Sequence, residues 1–336
     1  MPLDRHLRHL IAWQSAEGPP LADRDLPVGQ ARARYRDNAV RRHEGTGAPA
    51  VTAEDRLVDG PGGTRLRLRV HTPRDAGRRV VTFLHGGGWV LGDLDSHDWV
   101  CRELAAALRA VVVAADYRLA PESPYPAALH DAVAAARWTA RTYPGARHVV
   151  AGDSAGASLA LGVGLHAPDV PLAAQLLVYP PVDPSLILAS AGECAKGYLL
   201  SVEDMAWNYE QYVPDARLRA DPAVDLLRAD LRGLAPAVVA TAEFDPLRDE
   251  GVELVARLRA AGVTVRHEPG DGLVHGYFLM QAMVPAAAAC ARRVVGELEA
   301  LLGPDGGGGA EGGVGGGKGA ADAGGDGGGP PRGDAG

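Results

Sequence analysis

Five short apolar runs, Val80 to Leu84, Val111 to Ala115, Val149 to Ala151, Leu176 to Tyr179 and Ala237 to Thr241, recur through the chain without the alternation of a strand that has one wet face. Segments of this length and composition suit strands buried on both faces, and such strands belong to a largely parallel sheet covered by helices. The stretches between them, Trp99 to Leu108, Pro126 to Tyr143, Ser158 to Gly164 and Asp249 to Ala261, read as helices, so strand and helix alternate along the chain. Val263 to Glu268 supplies one more strand and Val284 to Leu302 a closing helix. Arg65, Arg67 and Arg69 alternate with Leu66, Leu68 and Val70, the period of an outer, antiparallel strand. The expected fold is α/β, a mostly parallel central sheet flanked by helices.

Two segments escape that alternation, residues 1–50 and about 180–234. The second is far longer than an ordinary connection, and long insertions in compact domains tend to be lids or binding loops. We therefore expect an N-terminal cap segment over 1–50, a catalytic body over 51–302 that carries a cap insertion at about 180–234, and a tail over 303–336. Eighteen of the 44 glycines fall in that tail, which marks it as a low-complexity, disordered end.

Charge and cysteine usage narrow the function classes. A formal charge of −8 offers no global field for nucleic acid or anionic lipid, and the basic residues are arginine except for Lys196 and Lys318. Cys101, Cys194 and Cys290 are odd in number, far apart and without C-x-x-C spacing, so they read as free thiols rather than a disulfide framework or zinc site. Met1 to Gly18 has the spacing of an amphipathic helix, not the apolar run of a signal peptide, and no stretch approaches the roughly 20 apolar residues of a membrane span. The expectation is a soluble, cytoplasmic monomer or homodimer that acts on a small molecule, with no nucleic-acid partner, no metal and no cofactor.

Four motifs carry chemistry. Gly152-Asp153-Ser154-Ala155-Gly156 lies between a strand and a helix, the context in which G-x-S-x-G lifts a serine hydroxyl above a sheet. His85-Gly86-Gly87-Gly88-Trp89 follows a strand and exposes unobstructed backbone N–H groups suited to a developing oxyanion, with Ala155 N–H as a donor from the other side. No Gly-Lys-Ser/Thr follows and no G-x-G-x-x-G is present, which argues against a phosphate loop. Asp245 follows the strand ending near Thr241, and His275 comes thirty residues later, so the order nucleophile, acid, base is complete. Glu243, Asp249 and Glu250 compete for the acid, and Asp245 could instead cap a helix before Pro246. His267 and His130 compete for the base, although one falls in a strand and the other in a helix.

With these motifs in this order the chain resembles the bacterial hormone-sensitive lipase family of esterases in the α/β-hydrolase superfamily. The resemblance runs over about residues 55–302 and includes Gly92-Asp-Leu-Asp95, Tyr117-Arg-Leu-Ala-Pro-Glu122, Asp245-Pro-Leu-Arg-Asp-Glu-Gly251 and Val274-His-Gly276. It implies Ser154 as nucleophile, Asp245 as acid and His275 as base, with an oxyanion hole from Gly87, Gly88 and Ala155. It further implies a helical cap lining an acyl or alcohol pocket, for which Trp89, Trp207 and Tyr209, and also Trp13, are candidates. The implied activity is hydrolysis of small or short-chain esters through an acyl-enzyme. An amidase, an N-deacetylase or an acyltransferase would use the same triad, whereas a ligand-binding receptor on this fold should have lost it. Ala157, where the family often has glycine, and Tyr277, where phenylalanine is common, depart from the pattern.

Overall fold

A computed structural model describes residues 1–16, 22–47 and 49–304. Eight strands form one sheet: β1 Val51–Asp59, β2 Arg65–Pro73, β3 Arg79–Leu84, β4 Ala110–Asp116, β5 Arg147–Asp153, β6 Leu172–Val178, β7 Ala237–Ala240 and β8 Val265–Glu268. Their order is β1-β2-β4-β3-β5-β6-β7-β8. β2 runs antiparallel to both of its neighbours, and the pairs from β4 to β8 are parallel. The mostly parallel α/β sheet is as the sequence reading has it.

The apolar runs lack alternation because each strand feeds two cores. Val80 and Leu84 of β3 join Val111 and Val113 of β4 and Val150 of β5 in one cluster, while Val81 and Phe83 join Val112, Ala114, Val149 and Ala151 in the other. Successive side chains point to opposite faces, so a strand covered on both sides must be apolar throughout. The first cluster is closed by α4 Ala127–Thr142, α5 Ala155–His166 and α8 Arg248–Ala260, and the second by α3 Asp98–Leu108 and α9 Pro285–Leu302. Helix α1, Arg5–Ala16, buries Leu7 completely in the second cluster, as its amphipathic spacing requires, and Asp4 N–H donates to Gly272 O at 2.9 Å.

The sheet has one strand more than the apolar runs reveal. β1 is the edge, so Arg65–Pro73 is the second strand rather than the outermost. Val51–Asp59 carries Glu54, Asp55 and Arg56 and is mostly exposed, so no apolar period marks it. Charge on an edge strand blunts pairing with other chains. Here it is also used internally: Asp55 lies opposite Arg69 in the register, with Arg69 Nε 2.7 Å from Asp55 Oδ1.

The long insertion holds two helices, α6 Ala189–Glu193 and α7 Val202–Tyr212, and two 3₁₀ turns, Ala216–Ala220 and Leu226–Arg228. Ser201 opens α7 with a capping box, its Oγ accepting from Asp204 N–H at 3.1 Å while the Asp204 carboxylate accepts from Ser201 N–H. The N-terminal segment meets the insertion there, because Arg24 pairs with Asp204. Helix α2, Val28–Arg41, sends Arg32 to Val90 O and Ala120 O, both at 2.8 Å, and to Glu122. Arg32 thereby ties Glu122, at the end of the Tyr117–Glu122 block, to the N-terminal segment. All three cysteines are free and buried. No helix among the described residues is long and apolar enough to cross a membrane. The expectation of a disordered tail concerns residues 303–336, of which 305–336 lie outside the described residues.

Candidate active site

Ser154 sits between the last residue of β5 and the first of α5, with φ 51° and ψ −127°. This is strained backbone for a residue with a Cβ, held by its surroundings. Ser154 N–H donates to Val178 O at 2.8 Å, and the flanking glycines let the turn press against the end of β3. A Cβ on Gly156 would lie 1.9 Å from Leu84 O, and one on Gly152 2.3 Å from the Gly156 carbonyl. The motif's glycines are thus required by close approach of backbone to backbone. Helix α5 starts at Ala155, three residues before the expected Ser158, so Ser154 stands at the helix N-terminus, where the first N–H groups lack intrahelical partners and the dipole is positive.

The His85–Gly88 loop is braced from below. Tyr117 Oη donates to His85 O at 2.7 Å, and its ring stacks on the His85 imidazole at 4.2 Å. Gly86 N–H is committed to Asp153 Oδ1 at 2.9 Å and approaches His97 Nε2. Gly87 and Gly88, at φ 121° and 61°, donate to no group among the described residues. Of the three loop glycines, Gly86 is thus committed as a donor, and Gly87 and Gly88 are left without an acceptor among the described residues.

Asp153 is buried behind this loop. Burial pushes its carboxyl upward, but His97, His85 and the Gly86 N–H outweigh that and hold it below the ordinary carboxylate range. It braces the loop, in keeping with a supporting role. His85 is itself driven down by burial and by the neighbouring His97, so it is a neutral ring in the stack.

Asp245 and His275 come from the loops after β7 and β8. His275 Nε2 is 2.9 Å from Ser154 Oγ and His275 Nδ1 is 2.7 Å from Asp245 Oδ2. Asp245 is fully buried, and its other oxygen accepts from Leu247 N–H at 2.9 Å. That bond closes a turn two residues long ahead of α8, whose N-cap is Leu247 and has no side-chain cap, so Asp245 is not the helix cap and its second oxygen is left to orient His275. The competing acids are engaged elsewhere. Glu243 bonds the Met1 amine and Gly272 N–H, and Asp249 bonds Arg248 and Ser190 N–H. Glu250 accepts from Val182 and Asp183 N–H at the start of the insertion, and burial raises its carboxyl well above the usual range despite those donors. His267 bonds Thr241 Oγ1 at 3.0 Å, and burial lowers it. His130 is an exposed residue of α4.

Ser154 is 8% exposed and the His275 side chain 10%. Trp89 and Tyr209 are buried and pack on one another with centroids 5.1 Å apart, and Trp89 also stacks on Tyr212 at 4.6 Å. Trp89, Tyr212, Leu159 and Ser158 line a cavity of only about 10 Å³. Trp207 is half-buried against the core, and Trp13 is exposed. Two residues near the site have no motif in the sequence. Tyr179 places its ring 4.5 Å from that of His275 and its Oη 3.4 Å from Asp153 Oδ2. Asn208 of α7 fills the space beside Gly88, its carboxamide 2.3 Å from where a Gly88 Cβ would stand. A carboxylate, an imidazole and a hydroxyl in hydrogen-bonded line beside free N–H donors can move a proton off the hydroxyl and hold charge on an attacked carbonyl oxygen.

Known proteins share this architecture. A family described as having the alpha/beta hydrolase fold matches residues 81–279. Esterase LipI of Mycobacterium tuberculosis is 41% identical over 267 residues, covering 76% of this chain and 83% of that protein. An ethyl acetate hydrolase of Pseudomonas putida is 34% identical over 300 residues, 85% of this chain and 93% of that one. The solved structure of an esterase from Pyrobaculum calidifontis superposes with a TM-score of 0.83 at 34% identity, covering 89% of this chain and 99% of that one. The chain belongs to the α/β-hydrolase family, in its bacterial hormone-sensitive-lipase branch of esterases.

Proposed function

We propose that this chain is a serine carboxylesterase that hydrolyses small or short-chain acyl esters through an acyl-enzyme on Ser154. Hydrolysis of carboxylic esters follows from the family and its named esterase members. The observation that carries the finer reading is the line from Asp245 through His275 to Ser154, at 2.7 and 2.9 Å. His275 Nε2 takes the Ser154 proton as Oγ bonds the ester carbonyl carbon, and the negative charge gathers on the carbonyl oxygen facing Gly87, Gly88 and Ala155 N–H. The proton then passes from His275 to the alcohol oxygen as the C–O bond breaks. Water, deprotonated by the same imidazole, attacks the acyl-enzyme, and Ser154 recovers its proton. No step calls for a metal or cofactor.

Residues 1–50 and about 180–234 act as the cap, a reading supported by the contact of Arg24 with Asp204 and of α7 with the oxyanion loop through Asn208. The low exposure of Ser154 and His275, together with the ring-to-ring packing of Trp89, Tyr209 and Tyr212, supports a small acyl site. Among p-nitrophenyl acetate, butyrate and octanoate, kcat/KM should be highest for the first two and lower by about tenfold or more for octanoate, since a closed apolar wall cannot house the added methylenes without repacking. Octanoate as the preferred substrate in steady-state release of p-nitrophenol contradicts the small-acyl reading.

A further inference from the structure

We infer that Asn208 is a substrate-positioning residue whose amide donates a hydrogen bond to an oxygen on the ester near the scissile carbonyl, so that the site selects oxygenated esters over their hydrocarbon isosteres. The inference deepens the esterase reading and rests on it.

Three facts meet at this side chain. It is 8% exposed, on α7. Its Oδ1 is sealed from solvent and has no partner, and its Nδ2 makes no hydrogen bond among the described residues. The sealed atom is the oxygen, so the end left open to a ligand is the Nδ2 donor. Finally, it is packed directly on Gly88, with the amide carbon, nitrogen and oxygen 2.3, 2.3 and 2.4 Å from the position of a Gly88 Cβ.

A carboxamide has two donors and an acceptor with two lone pairs, and buried polar groups in native proteins are bonded to something. Asn208 finds nothing in the protein, and a leucine would fill a similar volume without leaving polar atoms unmet. Trp89 Nε1 and Tyr209 Oη are also unpartnered, but it is the Asn208 carboxamide that lies against the Cβ position of Gly88, one of the glycines expected to receive the carbonyl oxygen. A group resting on Gly88 is within a few bonds of the reacting carbon of any ester held there. The partner that the open Nδ2 fits is an acceptor, an ether, hydroxyl or carbonyl oxygen, carried on either the acyl or the alcohol side.

The test uses two isosteric pairs that differ by O for CH₂. p-Nitrophenyl methoxyacetate against p-nitrophenyl butyrate probes the acyl side, and 2-methoxyethyl butyrate against butyl butyrate, followed by acid release, probes the alcohol side. For wild type, Asn208→Leu and Asn208→Ala, the ratio of kcat/KM within each pair is taken from a single preparation, so it is independent of the fraction folded. A structural change that merely damages the site lowers both members and leaves the ratio unmoved. We expect the ratio of oxygenated to hydrocarbon ester to fall at least fivefold in both variants for one of the pairs, the pair that moves identifying the side. A smaller change in both pairs overturns the inference, and means that the amide is met by water or serves packing alone. Turnover of none of the four esters by the wild type overturns the esterase reading, and this inference with it.

Discussion

Replacing Asp245 by Asn is expected to lower kcat on an activated ester by about 10³–10⁴-fold while leaving the fold intact. Asn matches Asp in shape, and its oxygen can still accept from Leu247 N–H, the bond that Asp245 Oδ1 makes now. What faces His275 Nδ1 is then an amide NH₂ rather than a carboxylate. Nδ1 must become an acceptor, which puts the ring proton on Nε2, the nitrogen 2.9 Å from Ser154 Oγ. The imidazole then points a proton at the hydroxyl it should deprotonate, and the imidazolium loses its buried counter-charge. Glu243→Gln and Asp249→Asn serve as controls and should stay within about threefold of wild type, because those carboxylates hold the Met1 amine with Gly272 N–H and Arg248 with Ser190 N–H. Retention of more than a tenth of wild-type turnover by Asp245→Asn, in protein with a wild-type circular dichroism spectrum, contradicts the role given to it.

Gly156→Ala is expected to cost more than about 4 kcal/mol and to yield little or no folded protein. The added Cβ would stand 1.9 Å from Leu84 O and 2.5 Å from His85 O. Those carbonyls belong to the end of β3 and the first residue of the His85–Gly88 loop, backbone that cannot swing aside as a flexible side chain could. Relief requires the elbow and the loop to separate, which would break the bond from Gly86 N–H to Asp153. Gly296→Ala on α9 is the matched control, since nothing lies within 4 Å of its Cβ position and alanine is the better helix former. Urea unfolding should find the Gly296 variant at or above the wild-type midpoint. A Gly156→Ala protein unfolding at the wild-type midpoint would show that the close approach is not what the glycine serves.

Much of this was legible in the residues because the parts concerned are local. Strands buried on both faces announce themselves as uninterrupted apolar runs, and G-x-S-x-G between such a run and a helix has few other uses. Strand β1 was not legible, since an exposed edge strand needs no apolar period and this one carries charge instead. Helix α5 began earlier than its Ser158 expectation because Ala155-Gly156-Ala157 looks like loop until the turn's geometry is known. The choice among Glu243, Asp245, Asp249 and Glu250 could not be made from spacing within one short segment, yet in the fold each carboxylate has a distinct partner. Tyr179 and Asn208 gave no signal, because each reaches the site through contacts between segments far apart in the chain. The aromatic candidates show the opposite limit. Trp89 and Tyr209 are buried and pack on one another, and Trp89 also stacks on Tyr212.

The central claim is that Ser154 carries the acyl group, and the most direct measurement is release of p-nitrophenol from p-nitrophenyl butyrate by wild type and Ser154→Ala at equal folded concentration. The wild type should turn the ester over, and the alanine variant should lose about 10⁴-fold or more in kcat, because without the hydroxyl neither the acyl-enzyme nor the His275 proton relay has a starting point. Turnover by Ser154→Ala within about tenfold of wild type would contradict the account, whatever the distances among Ser154, His275 and Asp245.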